Sequence, residues 1–113
     1  MSTEPEPFSI TRSTHGSAEV VTLVGELDMA YAPTVAETLD ALADTSRPVI
    51  VDLTGLSFID SSGIHAILRP RPQQGEVVLV CPPGNIHRVL DVTRIDRVLQ
   101  VYETLDAALA GLA

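Results

Sequence analysis

The sequence predicts a single α/β domain built on a small mixed β-sheet of about four to five strands with about four helices. Three short apolar runs lack the alternation of half-exposed strands and are typical of central strands: Val20–Val24, Val49–Leu53 and Val77–Val80. Helical patterns alternate with these runs, and this alternation predicts parallel strands joined by crossover helices. The 113 residues suffice for one domain and not for two.

Turn-forming residues set the expected limits of the elements in the first half. Phe8–Thr11 is predicted to be a short first strand that pairs antiparallel with the second through the turn-rich residues 13–17. Gly25–Asp28 should end the second strand. Pro33 suits the first turn of a helix. Its inner face carries apolar residues at i, i+4 and i+7: Val35, Leu39 and Leu42.

Capping residues and a proline set the limits in the second half. Residues 54–60 are predicted to form a loop, and Ser61 the N-cap of the second helix. Pro70 disfavours helical geometry at the residue before it, so this helix should stop after roughly two turns. Residues 98–102 are expected to form a last short strand. Two more caps are predicted, Asn85 for the third helix and Thr104 for the fourth.

The N-terminus and the single cysteine bear on the cellular setting. Residues 1–7 are predicted to be a disordered tail and residues 8–113 a folded domain. The acidic, proline-containing start is unlike a signal peptide, and no apolar stretch approaches the ~18 residues of a membrane span. Cys81 has no cysteine partner for an internal disulfide and is expected to pack at a strand end. We therefore expect a cytoplasmic protein.

The charge is unevenly distributed along the chain. Residues 1–68 contain two arginines and ten acidic residues, so this part carries the whole net charge of −8. Residues 69–113 contain five arginines and five acidic residues. The absence of lysine and the negative charge argue against direct binding of nucleic acid or of an anionic membrane. They suit a protein partner with a basic surface, or simply serve solubility.

Several kinds of catalytic or ligand-binding site are disfavoured by the residues available. The Gly-x-Ser-x-Gly pattern of hydrolases is absent around Ser61, and a Walker phosphate loop would need a lysine. The three histidines and one cysteine have no metal-ligand spacing. We therefore predict no enzyme activity, no cofactor and no metal.

The most polar stretch in the middle of the chain follows the third predicted strand, where open α/β sheets usually bind ligands. It ends in Asp60, Ser61, Ser62 and Gly63. The simplest interpretation is that these residues only cap a helix, either through the serine or through the carboxylate of Asp60.

The segment Asp52–Gly63, DLTGLSFIDSSG, resembles the signature of the anti-sigma factor antagonists, which are small STAS domains. Supporting similarities occur in order along the chain: Gly25–Asp28, Asn85–Leu90 and Leu105–Leu109. The resemblance extends from about Phe8 to Leu112 and implies the family's small mixed sheet with helices.

The resemblance also implies a phosphorylation switch. Unphosphorylated members bind an anti-sigma factor, which is also a serine kinase of the histidine-kinase-like ATPase type, and thereby release a sigma factor. The kinase phosphorylates the serine after the aspartate, here Ser61, and a metal-dependent phosphatase reverses the reaction. The family and the chain length favour a monomer or a weak dimer.

Six residues are expected to contact the partner: Asp28, Asp60, Ser61, Ser62, Gly63 and His65. Asp60 would orient the hydroxyl or help dock the kinase, and Ser62 is the fallback phosphate acceptor. His65, one helical turn beyond Ser61, would contact the phosphate or the partner, or simply occupy an exposed helix position.

Two departures from the family pattern limit what the resemblance implies, and the first of them leaves an alternative open. Residues 69–75 shorten the second helix by about one turn, which puts the partner in question more than the fold. Arg94 stands where the family commonly has glycine, and it would be strained if its φ were positive. The alternative is a STAS subunit of a lipid-trafficking ABC transporter or of a stress-signalling assembly, without phosphorylation control.

Overall fold

The computed structural model describes residues 8–71 and 75–112, which form one five-stranded sheet in the order β1-β2-β3-β4-β5. The strands are β1 (Phe8–His15), β2 (Ala18–Leu27), β3 (Val49–Ile59), β4 (Val77–Val80) and β5 (Gln100–Tyr102). β1 pairs antiparallel with β2, and the other pairings are parallel. The predicted disordered tail, residues 1–7, lies outside the described residues.

Four α-helices and one short 3₁₀ helix complete the described fold, in agreement with the predicted α/β class. The α-helices are α1 (Ala32–Ala43), α2 (Ser61–Leu68), α3 (Asn85–Val92) and α4 (Leu105–Leu112), and the 3₁₀ helix is Ile95–Arg97. As predicted from Pro70, α2 ends after about two turns. The predicted cap of α4 is confirmed, because the backbone N–H of Ala107 donates to Thr104 Oγ1 at 3.1 Å.

The central strands β3 and β4 are buried on both faces along their apolar runs, as predicted. In the run Val20–Val24 the prediction was wrong for Val24, which is 41% exposed, because β2 is covered on one side only by β1, a half-buried to exposed strand. Alternate residues of β3 belong to different cores: Val49 and Val51 pack with α1, α2 and α3, whereas Ile50 packs on the opposite face with Ala108 of α4. The α1–α3 face holds most of the buried side chains. The helix that begins at Ser61 is therefore fixed to the larger core.

The prediction of a loop at residues 54–60 was wrong, because β3 continues to Ile59. The second strand likewise continues through Gly25 to Leu27 instead of stopping at Val24. β2 and β3 continue together to Leu27 and Ile59, with register shifts that accommodate the turn-like residues. Gly55 permits this pairing, because a Cβ there would lie 2.8 Å from Val24 Cγ2. Asp60 consequently follows a strand directly instead of ending a loop.

Three other predicted limits, those of β1, β5 and the cap of α3, also differ from the structure. β1 reaches His15 instead of Thr11, because the hairpin turn is only two residues long. β5 begins at Gln100, because the preceding residues form the 3₁₀ helix and Val98 donates its N–H to a carbonyl there at 2.8 Å. Asn85 is the first residue of α3 and not its cap; Gly84, with φ at 153°, occupies the cap position without a side-chain hydrogen bond.

Candidate functional site

The predicted switch residues lie where β3 meets α2. Asp60 follows the last residue of β3, and its backbone N–H donates to the carbonyl of Leu27, the last residue of β2, at 3.2 Å. This bond joins the carboxyl ends of two neighbouring parallel strands. Asp28, which follows Leu27, is therefore at the same edge of the sheet as Asp60 and Ser61.

Asp60, and not Ser61, is the N-cap of α2. Its backbone is extended, with φ at −111°, and its Oδ1 accepts a hydrogen bond from the Gly63 N–H at 3.1 Å. The prediction that Ser61 caps this helix was wrong, because the carboxylate one residue earlier already reaches the third helical amide. The capping role of the Asp60 carboxylate, the other possibility for this segment, is confirmed.

Ser61 is consequently the first helical residue, and its side chain is exposed. Its hydroxyl has no hydrogen-bond partner within residues 8–71 and 75–112. The position lies at the positive end of the α2 dipole, next to backbone amides that are not used within the helix. An accessible hydroxyl beside such amides suits both a phosphoryl acceptor and the resulting phosphate.

Gly63 holds the first turn of α2 against the sheet. It is buried, and a Cβ there would lie 2.7 Å from Leu27 Cγ and 3.1 Å from Ile59 Cγ1. Only a residue without a side chain lets the helix approach β2 and β3 so closely. Gly63 thus fixes the distance of Ser61 from the strand ends.

Ser62 and His65 line a groove of about 310 Å³ between α1 and α2. Ser62 is half-buried there, and His65 is exposed. The groove is lined by Met29, Ala32, Pro33, Ala36, Ser62, His65, Ala66 and Arg69. Met29 is 73% exposed at one end, so the groove offers an apolar surface beside Ser61.

Asp28 shapes the turn that leads into α1. Its Oδ1 accepts a hydrogen bond from the Ala30 N–H at 3.0 Å, and its carbonyl accepts one from the Ala32 N–H at 2.9 Å. The side chain is half-buried. The six predicted residues therefore cluster at one edge, but Gly63 faces the core and Asp28 stabilises a turn.

A second cavity, of about 280 Å³, was not anticipated from the sequence. It lies between β3 and the segment joining β4 to α3, and its lining includes Thr54, Ser57, Cys81 and Asn85. Burial, and then the charges of Asp52 and Asp91, raises the pKa of the Cys81 thiol to about 11. Cys81 is thus a protonated thiol at neutral pH, which fits the predicted packing role. The run Pro82–Gly84 was the signal that the chain turns sharply here.

The local sequence also indicated no role for Arg71. It is one of two buried charged residues, the other being Glu19, among those that the structure describes. Its position between two prolines indicated only a loop. The structure instead turns its side chain back onto α2.

The part of the chain that the structure describes contains no cluster of three or more His, Cys, Asp or Glu side chains arranged to hold a metal ion. None of its helices is long and apolar enough to cross a membrane.

Comparisons with known proteins relate the chain to one family. A family model for the STAS domain matches residues 9–108. The anti-sigma-F factor antagonist RsfB of Mycobacterium tuberculosis is 24% identical over 112 residues, covering 96% of this chain and 92% of that protein. An anti-sigma F factor antagonist of Paenibacillus polymyxa is 30% identical over 106 residues, covering 87% and 89%. The crystal structure of an anti-sigma factor antagonist from Mycobacterium paratuberculosis has a TM-score of 0.84 at 25% identity and covers 96% of each chain.

Proposed function

Because the chain belongs to the STAS domain family, within the group of anti-sigma factor antagonists, we propose that it works by a phosphorylation switch. Its unphosphorylated form binds an anti-sigma factor that is also a serine kinase of the histidine-kinase-like ATPase type, and a sigma factor is released. Phosphorylation of Ser61 ends this binding, and a metal-dependent phosphatase restores it. The proposed setting is the cytoplasm, and the protein itself acts by binding and not by catalysis.

The observation that carries this proposal is the exposed Ser61 hydroxyl at the start of α2. Asp60 performs the capping, so the serine hydroxyl is not needed to stabilise the helix. A hydroxyl that is accessible and structurally dispensable can be modified without unfolding the domain. Asp60 would also orient the hydroxyl or help to dock the kinase.

The effect of a phosphate follows from its charge. Phosphorylation of Ser61 would add about −1.5 to −2 charges beside Asp60. The first-turn amides of α2 can bind this group, so the fold should persist. A partner surface that covers Ser61 would instead meet an unmatched dianion, which typically costs about 2–5 kcal/mol at an interface. That cost corresponds to a loss of roughly 30- to 4000-fold in affinity.

The groove between α1 and α2 extends the proposed partner surface. Ser62 and His65 line it one turn apart, and Met29 contributes exposed apolar area. Ser62 is the fallback acceptor if Ser61 is not modified. Gly63 and Asp28 would contribute by keeping α2 and the turn before α1 in place.

Affinity capture from a bacterial lysate tests the proposal, with the unmodified protein and Ser61→Asp as paired baits. Ser17→Asp is the matched control, because Ser17 is exposed in the β1–β2 turn at the opposite edge of the sheet. We expect the unmodified protein and the control to retain a histidine-kinase-like ATPase, and Ser61→Asp to lose it. ATP is then added to the captured kinase, and the phosphorylated residue is identified by mass spectrometry.

Two outcomes would contradict the proposal. Equal retention of the same ATPase by all three baits would show that Ser61 does not control binding. Retention of transporter subunits by all three would favour the lipid-trafficking alternative. A third outcome would change only the acceptor: if mass spectrometry finds the phosphate on Ser62, and the kinase still phosphorylates Ser61→Ala, then Ser62 is the phosphate acceptor.

A further inference from the structure

The segment that follows α2 folds back onto the helix through Arg71. Pro70 prevents the helix from continuing, and the Arg71 side chain, only 3% exposed, lies across the end of the helix. Its Nη2 donates to the carbonyl of Ala66 at 2.6 Å, and its Nη1 donates to the carbonyl of Ile67 at 3.3 Å. Nη1 also donates to the carbonyl of Arg69 at 2.9 Å. One guanidinium thus satisfies three carbonyls at the end of α2.

The same guanidinium connects α2 to α1. Arg71 Nε donates to Asp40 Oδ1 at 2.7 Å, and Asp40 lies in the second half of α1. Arg69 also pairs with the Asp40 carboxylate, but its side chain is 54% exposed. Within residues 8–71 and 75–112, Arg69 donates to no carbonyl of α2 through its side chain. Both arginines therefore pair with the Asp40 carboxylate, but of the two only Arg71 also donates to carbonyls at the end of α2 within the described residues.

These contacts compensate for the short length of the helix. The last four carbonyls of any helix lack partners within it, and a helix of eight residues is marginal in isolation. A guanidinium provides five N–H donors in a rigid planar fork, and its positive charge opposes the negative end of the helix dipole. Arg71 therefore supplies hydrogen bonds that a further helical turn would otherwise provide.

We propose that Arg71 is a positioning residue for the switch: through α2 it fixes the orientation of Ser61 against the strand ends. The helix is only about 12 Å long, so a change of tilt at its C-terminal end displaces its first turn. At that first turn, the close packing of Gly63 on Leu27 and Ile59 leaves no room to absorb the displacement. The inference relies on the proposed function only in taking Ser61 as the phosphate acceptor.

The test compares Arg71→Met with Arg69→Met by amide hydrogen exchange and NMR. In Arg71→Met we expect the amides of Gly63 and Ile64, at the far end of α2, to exchange at least about 10-fold faster, because local opening no longer breaks charge-assisted hydrogen bonds. The Gly63 amide resonance should also shift, since its N–H donates to Asp60. In Arg69→Met the exchange rates should stay within about 3-fold of the unmodified protein, and the resonance should not shift. Core amides of Val51 and Leu79 report whether each variant is folded.

Arg71→Lys keeps the test decisive if Arg71→Met does not fold. A lysine retains the charge beside Asp40 but cannot span the carboxylate and three carbonyls, so we expect the Gly63 and Ile64 amides to exchange at least about 3-fold faster than in the unmodified protein. Unchanged Gly63 and Ile64 amides in any folded Arg71 variant, or an equal effect in Arg69→Met, would overturn the positioning role.

A binding measurement separates this inference from the proposed function. The affinity of each variant is measured for the ATPase that the unmodified protein captures. Arg71→Met should bind it at least about 10-fold more weakly than the unmodified protein does, and the affinity of Arg69→Met should stay within about 3-fold of the unmodified value. If Ser61→Asp retains the ATPase, the phosphorylation switch fails while the exchange result at Gly63 stands. If Ser61→Asp loses the ATPase but Arg71→Met binds it normally, the positioning role fails alone.

Discussion

Two helices of equal length, α2 and α3, follow neighbouring parallel strands and cover the same face of the sheet, but they are held very differently. Asp60 caps the start of α2 with its carboxylate, and the guanidinium of Arg71 binds its last carbonyls. α3 begins at Asn85, and its cap residue, Gly84, makes no side-chain hydrogen bond. At its end the neighbouring Thr93 hydroxyl donates to carbonyls of the helix, those of Val89 and Leu90, and Arg94 follows in a left-handed conformation.

The two helices also differ in how many residues they bury. α2 buries four residues in the core, whereas α3 buries only Ile86 and Leu90 and leaves its last residue, Val92, 81% exposed. Among the described residues, the side-chain hydrogen bonds and the ion pair at α3 join it to its own neighbouring residues, whereas Arg71 ties α2, the helix that carries the candidate acceptor, to Asp40 of α1. This difference is what the proposed positioning of Ser61 by α2 requires.

The largest expected effect is on the reactivity of the Cys81 thiol, at the strand end that precedes α3. Since the pKa of Cys81 is raised to about 11, the native thiolate fraction at pH 8 should be roughly 100-fold below that of the unfolded chain. Alkylation by iodoacetamide should slow by at least this factor in native protein compared with protein in urea. Because the folded pKa is the higher one, stability should be unaffected below about pH 9 and fall between about pH 9 and 11. Equal alkylation rates would show that the thiol is not protected.

The second largest expected effect is a loss of stability when the close packing of α2 on the strands is disturbed. Gly63→Ala should lower the free energy of unfolding by about 1–3 kcal/mol, because the new methyl group collides with buried Leu27. Urea denaturation measures this change. Ser62→Ala, one residue earlier in the same turn, should stay within about 0.5 kcal/mol. A Gly63→Ala protein of unchanged stability would mean that α2 can shift outward easily.

Removing a polar side chain at the start of each of the two helices should change the stability by unequal amounts. Asp60→Ala should destabilise the protein by about 1 kcal/mol, whereas Asp60→Asn, which keeps an oxygen acceptor, should change stability by only a few tenths. Asn85→Ala at the start of α3 should have almost no effect, because Asn85 does not cap that helix. Thermal unfolding of the three variants checks this order, and a loss at Asn85 as large as that at Asp60 would contradict it.

The smallest effect is a gain in stability at the end of α3. Arg94 has φ at 62°, a conformation that glycine adopts without the Cβ penalty. Arg94→Gly should therefore stabilise the protein by up to about 1 kcal/mol, measured as a rise in Tm. Arg97→Gly, three residues later and without a positive φ, should instead destabilise it slightly. A lower Tm for Arg94→Gly would show that the arginine side chain makes a compensating contribution.

The parts of the fold that depend on local sequence were predictable, and those that depend on distant partners were not. The centres of the buried strands followed from apolar runs, and the end of α2 followed from Pro70. The continuation of β3 through Gly55 depends on pairing with β2, about thirty residues earlier in the chain. The turn-like composition of residues 54–60 favoured a loop there, so this continuation of β3 could not be predicted.

The same distinction applies to the candidate site. Asp60, Ser61 and Gly63 were singled out by the polar stretch after a predicted strand and by the resemblance to the anti-sigma factor antagonists. The choice of Ser61 as the helix cap was wrong, because the carboxylate of the adjacent Asp60 caps the helix. The role of Arg71 could not be predicted, because its carboxylate partner, Asp40, lies 31 positions away on another helix. Nothing in the local pattern distinguished Arg71 from Arg69.

The strand order also has a consequence for how the chain acquires its structure during synthesis. Each strand pairs with the strand immediately before it in the chain, and the first pair is a hairpin closed by a two-residue turn. Such local connections reduce the loop entropy that must be lost before contacts form. A chain emerging from the ribosome can therefore extend one growing edge, strand by strand, without having to insert a late segment between strands already paired.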